Sequence, residues 1–142
     1  ALAVVDSVYA QKFDSLAMLA RESTLAVARY YNLLEGKLLV DVKDLSLLGS
    51  SSQRVLDVVR ALKGSSYITG HGAKNYLDHD IFEENEISVR YMDYKTIPYP
   101  QLNGDFTPYV SSLDLIANCG PDGIERICSQ AVYWKEISNE PN

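Results

Sequence analysis

Lys37–Gly72 reads KLLVDVKDLSLLGSSSQRVLDVVRALKGSSYITGHG, and its punctuation decides the fold. Lys37–Val42 is a short aliphatic run that predicts a buried strand. Gly49-Ser50-Ser51-Ser52 is a loop with ready N-cap hydroxyls. Gln53–Leu62 places Val55, Leu56, Val58, Val59 and Leu62 at helical spacing, and Gly64 stops that helix. Ser65–Thr69 predicts a second strand, halted by Gly70-His71-Gly72. A strand–helix–strand unit of about thirty residues with short loops favours parallel pairing and a right-handed crossover.

Working outward, Asp14 or Ser15 caps a helix to about Tyr31, with Leu16, Leu19, Ala20, Ser23, Val27 and Tyr30 on one stripe. Downstream, Ala73–Leu77 and Asp80–Asn85 predict two short helices, and Glu86–Tyr94 a third strand. A proline-rich loop follows, then helices at about Ser112–Asn118 and Asp122–Glu136. The class expected is α/β, one domain over residues 1–142, with an open, mainly parallel, Rossmann-like sheet flanked by helices. Ligands in such sheets bind beyond the carboxyl ends of the strands. The apolar opening Ala1–Val5 reads as a cut start that lacks an N-terminal portion, and the polar end Ser138–Asn142 as a frayed terminus.

The net charge of −6, with Lys and Arg scattered singly, disfavours a nucleic-acid partner, which needs clustered cations to release counterions. No apolar run approaches the length of a membrane span. Two cysteines, Cys119 and Cys128, are too few for a disulfide scaffold and suggest a cytoplasmic protein.

Two loops carry the candidate chemistry. In the first, Ser51 and Ser52, with backbone N–H groups, offer donors to an anion that Arg54 can reach, or serve only as helix caps. The loop lacks a phosphate-loop lysine and a full glycine fingerprint. In the second, Gly70 and Gly72 let a backbone approach a ligand directly after a strand, and His71, Lys74 and Tyr76 bring donors within one turn. His71 and His79, with Asp78 and Asp80, match no standard metal spacing, and His79 reads as part of a solvated turn. Cys119 reads as a half-buried structural thiol. Tyr91, Tyr94, Tyr99 and Tyr109 gather around prolines beside Gln101, Asn103 and Asp105, either to stack on a sugar ring or to cover a sheet edge.

Tyr67–Leu77, Tyr99-Pro100-Gln101, Phe106–Leu115 and Asn118–Pro121 occur in an order and spacing that resembles the C-terminal part of the WbqC-like protein family. The helix Arg54–Leu62 is similar too, and the likeness runs from about Ser51 to Gly123. Members usually begin with a Gln-Pro-x-Tyr-Phe-Pro stretch absent here, and carry Gly-Pro where this chain has Gly70-His71. The resemblance implies a role in bacterial surface polysaccharide (O-antigen) biosynthesis. The expected function is group transfer on an activated sugar, the partner being a small sugar or nucleotide-sugar, with a non-catalytic sugar- or partner-binding module as the alternative. Lys74 is then expected to hold an anionic group, Asp114 to act as acid/base or hold a hydroxyl, and Gln101 to orient the ligand beside Tyr76 and Tyr99. The alternative role for Asp114 is a charge favoured by a helix N-terminus. No cofactor and no oligomeric state are assigned.

Overall fold

Three serines mark where three helices begin. Ser15 Oγ accepts from Met18 N at 3.3 Å and Ser111 Oγ from Leu113 N at 3.2 Å, each satisfying an otherwise orphaned N–H. Ser50 occupies the same position before the third helix without a side-chain hydrogen bond. The structure, a computed structural model, describes residues 1–137; the stretch Ser138–Asn142, expected to fray, lies outside them. The elements are α1 (Leu2–Tyr9), α2 (Leu16–Tyr30), α3 (Ser51–Ala61), β1 (Ser66–Thr69), α4 (Asp80–Glu84), β2 (Ser88–Thr96), α5 (Ser112–Cys119) and β3 (Ile127–Tyr133), with short 3-10 turns between them. No helix among the described residues is long and apolar enough to cross a membrane.

The fold is mixed α/β with a small open sheet of order β1-β2-β3. β1 and β2 run parallel, Ser66 opposite Ser88 and Thr69 opposite Tyr91. The connection between them, residues 70–87, holds the 3-10 turn His71–Asn75 and α4. Parallel pairing therefore occurs, but one step later in the chain than expected.

The predicted strand at Lys37–Val42 does not form. Asp41 accepts from Lys43 N at 3.0 Å and caps a 3-10 turn over Val42–Leu45, while Leu38 stays 82% exposed. A side chain that offers the backbone a local hydrogen bond competes with strand pairing, and here it wins. The predicted helix at Asp122–Glu136 is also absent. Gly120–Arg126 is a 3-10 turn and Ile127–Tyr133 is β3. The β-formers Ile127, Val132 and Tyr133 outweigh the helical spacing read from the sequence.

The chain divides into two compact units, Ala1–Leu38 with Lys95–Cys128, and Leu39–Tyr94 with the chain from Ser129 on. In the second, α3 buries Leu56 and Val59 against Ala73, Leu77, Phe82, Ile87, Val89 and Tyr91. Tyr67 stacks on Phe82, ring centres 5.8 Å apart. α3 stops where Lys63 turns to φ +55°; Gly64 follows in an ordinary conformation, where a Cβ would lie 3.0 Å from Val59 Cγ1. Gly64 thus sits at a close approach and not in a left-handed turn.

In the first unit Tyr31, Leu115 and Ile116 form the buried centre, with Val4, Val27, Tyr99, Ile124 and Ile127 packed around them. The Tyr31 hydroxyl is buried without a hydrogen-bond partner among the described residues, and burial pushes its ionisation upward. A Cβ on Gly123 would lie 2.6 Å from that hydroxyl and 3.0 Å from Leu115 Cγ. Gly123→Ala is therefore expected to cost about 1–3 kcal/mol by overpacking. Tyr31→Phe should recover part of that loss, because it removes the closer of the two contacts. Urea unfolding of the single and double variants checks this; strictly additive effects would contradict the packing described.

Candidate functional site

The loop after β1 is fixed at two buried points. Ala73 N donates to Gly70 O at 3.1 Å and Leu77 N to Ala73 O at 2.9 Å, and both side chains are buried. Between these anchors Lys74, Asn75 and Tyr76 face outward. His71 Nε2 donates to the Met92 carbonyl at 2.8 Å; a carbonyl only accepts, so that nitrogen carries the proton. Among the described residues Lys74 has no ion-pair or hydrogen-bond partner.

Lys74 and Asn75 form one side of a cavity of about 520 Å³ completed by His79, Tyr91, Trp134, Lys135 and Ile137. His79 is half-buried rather than part of a solvated turn as expected. Its ring stacks on Trp134, centres 4.3 Å apart and 24° between planes, and its Nε2 lies 2.9 Å from the Tyr91 hydroxyl. Tyr91 is 1% exposed, and burial raises its ionisation. Both groups that fix the imidazole therefore belong to elements distant from it in sequence.

Trp134 is held in turn by Glu83 of α4. Glu83 Oε1 accepts from Trp134 Nε1 at 3.0 Å and from the Tyr133 hydroxyl, while Oε2 pairs with Lys135 Nζ at 2.9 Å. The hydrogen bond from Tyr133, then those from Lys135 and Trp134, draw the carboxyl down to about 2. Lys135 is correspondingly raised, chiefly by Glu83. No carboxylate lines the cavity among the described residues.

The serine loop has other duties. Ser52 is buried, and its Oγ accepts from Asp78 N at 2.9 Å and donates to Tyr76 O at 3.4 Å, tying α3 to the end of the β1 loop. Arg54 donates to Leu47 O at 3.0 Å and to Gly49 O at 3.4 Å, so its guanidinium closes its own loop. Ser51 is exposed at the start of α3 with φ +55°.

The remaining predicted residues meet in the first unit. Tyr99 OH donates to Asp114 Oδ2 at 2.7 Å, and Gln101 Nε2 donates to the same oxygen at 3.0 Å. Gln101 also pairs with the Thr107 backbone, Oε1 accepting at 2.9 Å and Nε2 donating at 3.1 Å. Burial first, and the Asp114 bond second, raise the Tyr99 phenol. Tyr99, Gln101 and Asp114 thus form one cluster that closes the proline-rich loop. Gly70, Gly72, Lys74 and Tyr76 belong to the second unit, with Ser51, Ser52 and Arg54. A separate recess of about 410 Å³ in the first unit, lined by Val4, Val8, Val27 and Leu113 among others, carries no charged side chain. The cationic cavity is therefore the better chemical candidate.

Sequence reading took His79 for part of a solvated turn and did not single out Glu83, Trp134 or Lys135. The available signal was the lone tryptophan beside a lysine, but the expected helix through Glu136 placed it on the wrong kind of element.

Residues 1–126 match the WbqC-like protein family. The chain belongs to that family. The match begins at the first residue, well upstream of the stretch on which the sequence resemblance rested. A curated relative, the uncharacterized protein Rv1507c of Mycobacterium tuberculosis, is 29% identical over 123 residues, covering 84% of this chain and 52% of the relative. The chain thus spans about half the length of that relative. No solved structure matches significantly.

Two outcomes follow from the geometry. Because its folded-state carboxyl is depressed, Glu83 adds stability that is present above its ordinary value of 4.5 and is lost as pH falls toward about 2. Glu83→Gln is expected to be less stable than the parent at neutral pH, with the gap closing across that acid range in pH-dependent unfolding. Gly70 and Gly72 have open space where a Cβ would be and ordinary φ. Gly70→Ala and Gly72→Ala should change stability by no more than about 0.5 kcal/mol; a larger loss would show that the loop needs glycine for its own conformation.

Proposed function

We propose that this WbqC-like protein is a group-transfer enzyme acting on an activated sugar, in the cytoplasm, during bacterial surface polysaccharide (O-antigen) biosynthesis. The observation that supports this reading is the cavity at the end of β1, with Lys74, unpaired among the described residues, and the Glu83-bound Lys135 on its walls, and no carboxylate among the described residues that line it. In a chain of net charge −6, a cavity of that composition suits the anionic activating group of a sugar donor. The position agrees with the general rule that ligands bind beyond the carboxyl ends of parallel strands. Lys74 supplies the charge, and Asn75 and the aromatic wall supply hydrogen bonds and ring contacts to the remainder, with the exposed Tyr76 next to Asn75 in the chain. Asp114, as acid/base or hydroxyl holder, belongs to the other unit, with Gln101 and Tyr99 beside it, and is tested separately.

One observation favours the second reading, a sugar- or partner-binding module without turnover. Asp114 Oδ2 already accepts two hydrogen bonds that close the neighbouring loop, which suits a clasp better than a mobile proton carrier.

A thermal-shift panel of nucleotide-sugars, UDP-glucose included, tests the first reading. A ligand at a hundred times its dissociation constant stabilises the folded chain by about 2.7 kcal/mol. Lys74→Met should abolish most of the shift without altering the unliganded melting temperature. Equal shifts in parent and variant, or none in either, would count against a Lys74 ligand site. Turnover that survives Asp114→Asn would remove Asp114 from the chemistry.

A further inference from the structure

Which donors in the Lys74 cavity are engaged and which remain free identifies the group it takes. Resting on the reading above, we propose that the cavity binds a tetrahedral dianion of the phosphate type, held by Lys74, Lys135 and Nδ1 of His79.

The argument begins with His79. Its Nε2 is committed to the Tyr91 hydroxyl at 2.9 Å, and its ring face to Trp134 at 4.3 Å between centres. Those two contacts fix the ring, and Nδ1 is left without a partner among the described residues. When Nε2 accepts from the Tyr91 hydroxyl, the neutral ring carries its proton on Nδ1; when the imidazole is protonated, both nitrogens donate. In both of these states Nδ1 offers a donor, and a bound anion selects them over the tautomer in which Nε2 donates to Tyr91 and Nδ1 only accepts.

Lys135 has three N–H donors and its salt bridge to Glu83 engages one side of the ammonium. Among the described residues nothing engages the three of Lys74. The three donors come from three separate stretches: the His71–Asn75 turn, the residue before α4, and the Trp134–Glu136 turn after β3. A planar carboxylate offers two oxygens and is matched by a two-pronged donor. Three independent donors around one cavity suit a tetrahedral oxyanion, whose oxygens point in different directions.

The charges around His79 set a pH dependence. Lys74 and Lys135 face it across the cavity, Asp78 and Asp80 adjoin it in the chain, Glu83 lies one turn further along and is tied to Lys135, and Tyr91 meets it from β2. A bound dianion neutralises the two ammonium groups and favours the imidazolium. Binding is therefore tighter with the imidazole protonated than with it neutral.

Inorganic sulfate is the test probe, because its charge is fixed across that range. Titrations of the full chain followed by NMR, at about pH 6 and about pH 8 with ionic strength held constant, read the affinity and the His79 ring signals. Roughly tenfold tighter binding at the lower pH, with the His79 resonances moving on saturation, is the expected result. Lys74→Met should weaken binding at both pH values, and His79→Gln should remove the pH dependence while leaving the weaker binding in place. His79→Asn, which keeps an N–H near the Nδ1 position, serves if the glutamine variant does not fold. Equal affinity at both pH values in the parent, or a pH dependence that persists in both His79 variants, overturns the proposal. If sulfate fails to bind while UDP-glucose still stabilises through Lys74, the phosphate assignment falls and the activated-sugar reading stands. If neither binds, both fall.

Discussion

Glu83 takes hydrogen bonds or an ion pair from Tyr133, Trp134 and Lys135, three consecutive residues fifty or more positions away. Such a contact closes a long loop, and the chain entropy that this costs is offset only by several interactions formed at once. The charged acceptor makes each bond stronger than a neutral one, and the depressed carboxyl reports the sum. With Trp134 held in place, His79 has a surface to stack on; with Lys135 held in place, the cavity has its second cation. Remove the carboxylate and the candidate site loses its third wall before any ligand residue is touched.

The α/β class and the helices α2, α3 and α5 were legible because each joins a serine or glycine boundary to an apolar stripe of period 3.6. β1 and β2 were legible for the same reason at period two. The errors have a common cause. At Lys37–Val42 one aspartate redirected the backbone, and at Ile127–Tyr133 a run of strand formers was read as the continuation of a helix. Short apolar runs carry too little periodicity to separate the two states, and their partners decide.

The candidate site divides along similar lines. Lys74 and the glycines around it were named because a glycine-bracketed turn after a strand is visible locally. Tyr99, Gln101 and Asp114 were named together and the structure joins them through one carboxylate oxygen. His79 was misread because its environment is made by Tyr91 and Trp134, twelve and fifty-five positions away, and no local pattern records either contact. Ser52 illustrates the opposite case: a hydroxyl at a helix start invites a ligand reading, yet here it satisfies two backbone groups of the chain.

Trp134 is the lone tryptophan, so its indole N–H gives one unambiguous NMR signal. Hydrogen exchange of that proton near neutral pH tests the Glu83 clasp directly. A bonded indole N–H held by Glu83 should exchange far more slowly than that of a solvated tryptophan, and Glu83→Gln should bring it close to the solvated rate with the chain still folded. Exchange at the solvated rate in the intact protein would contradict the account, because the wall that positions His79 and Lys135 would then not be fixed.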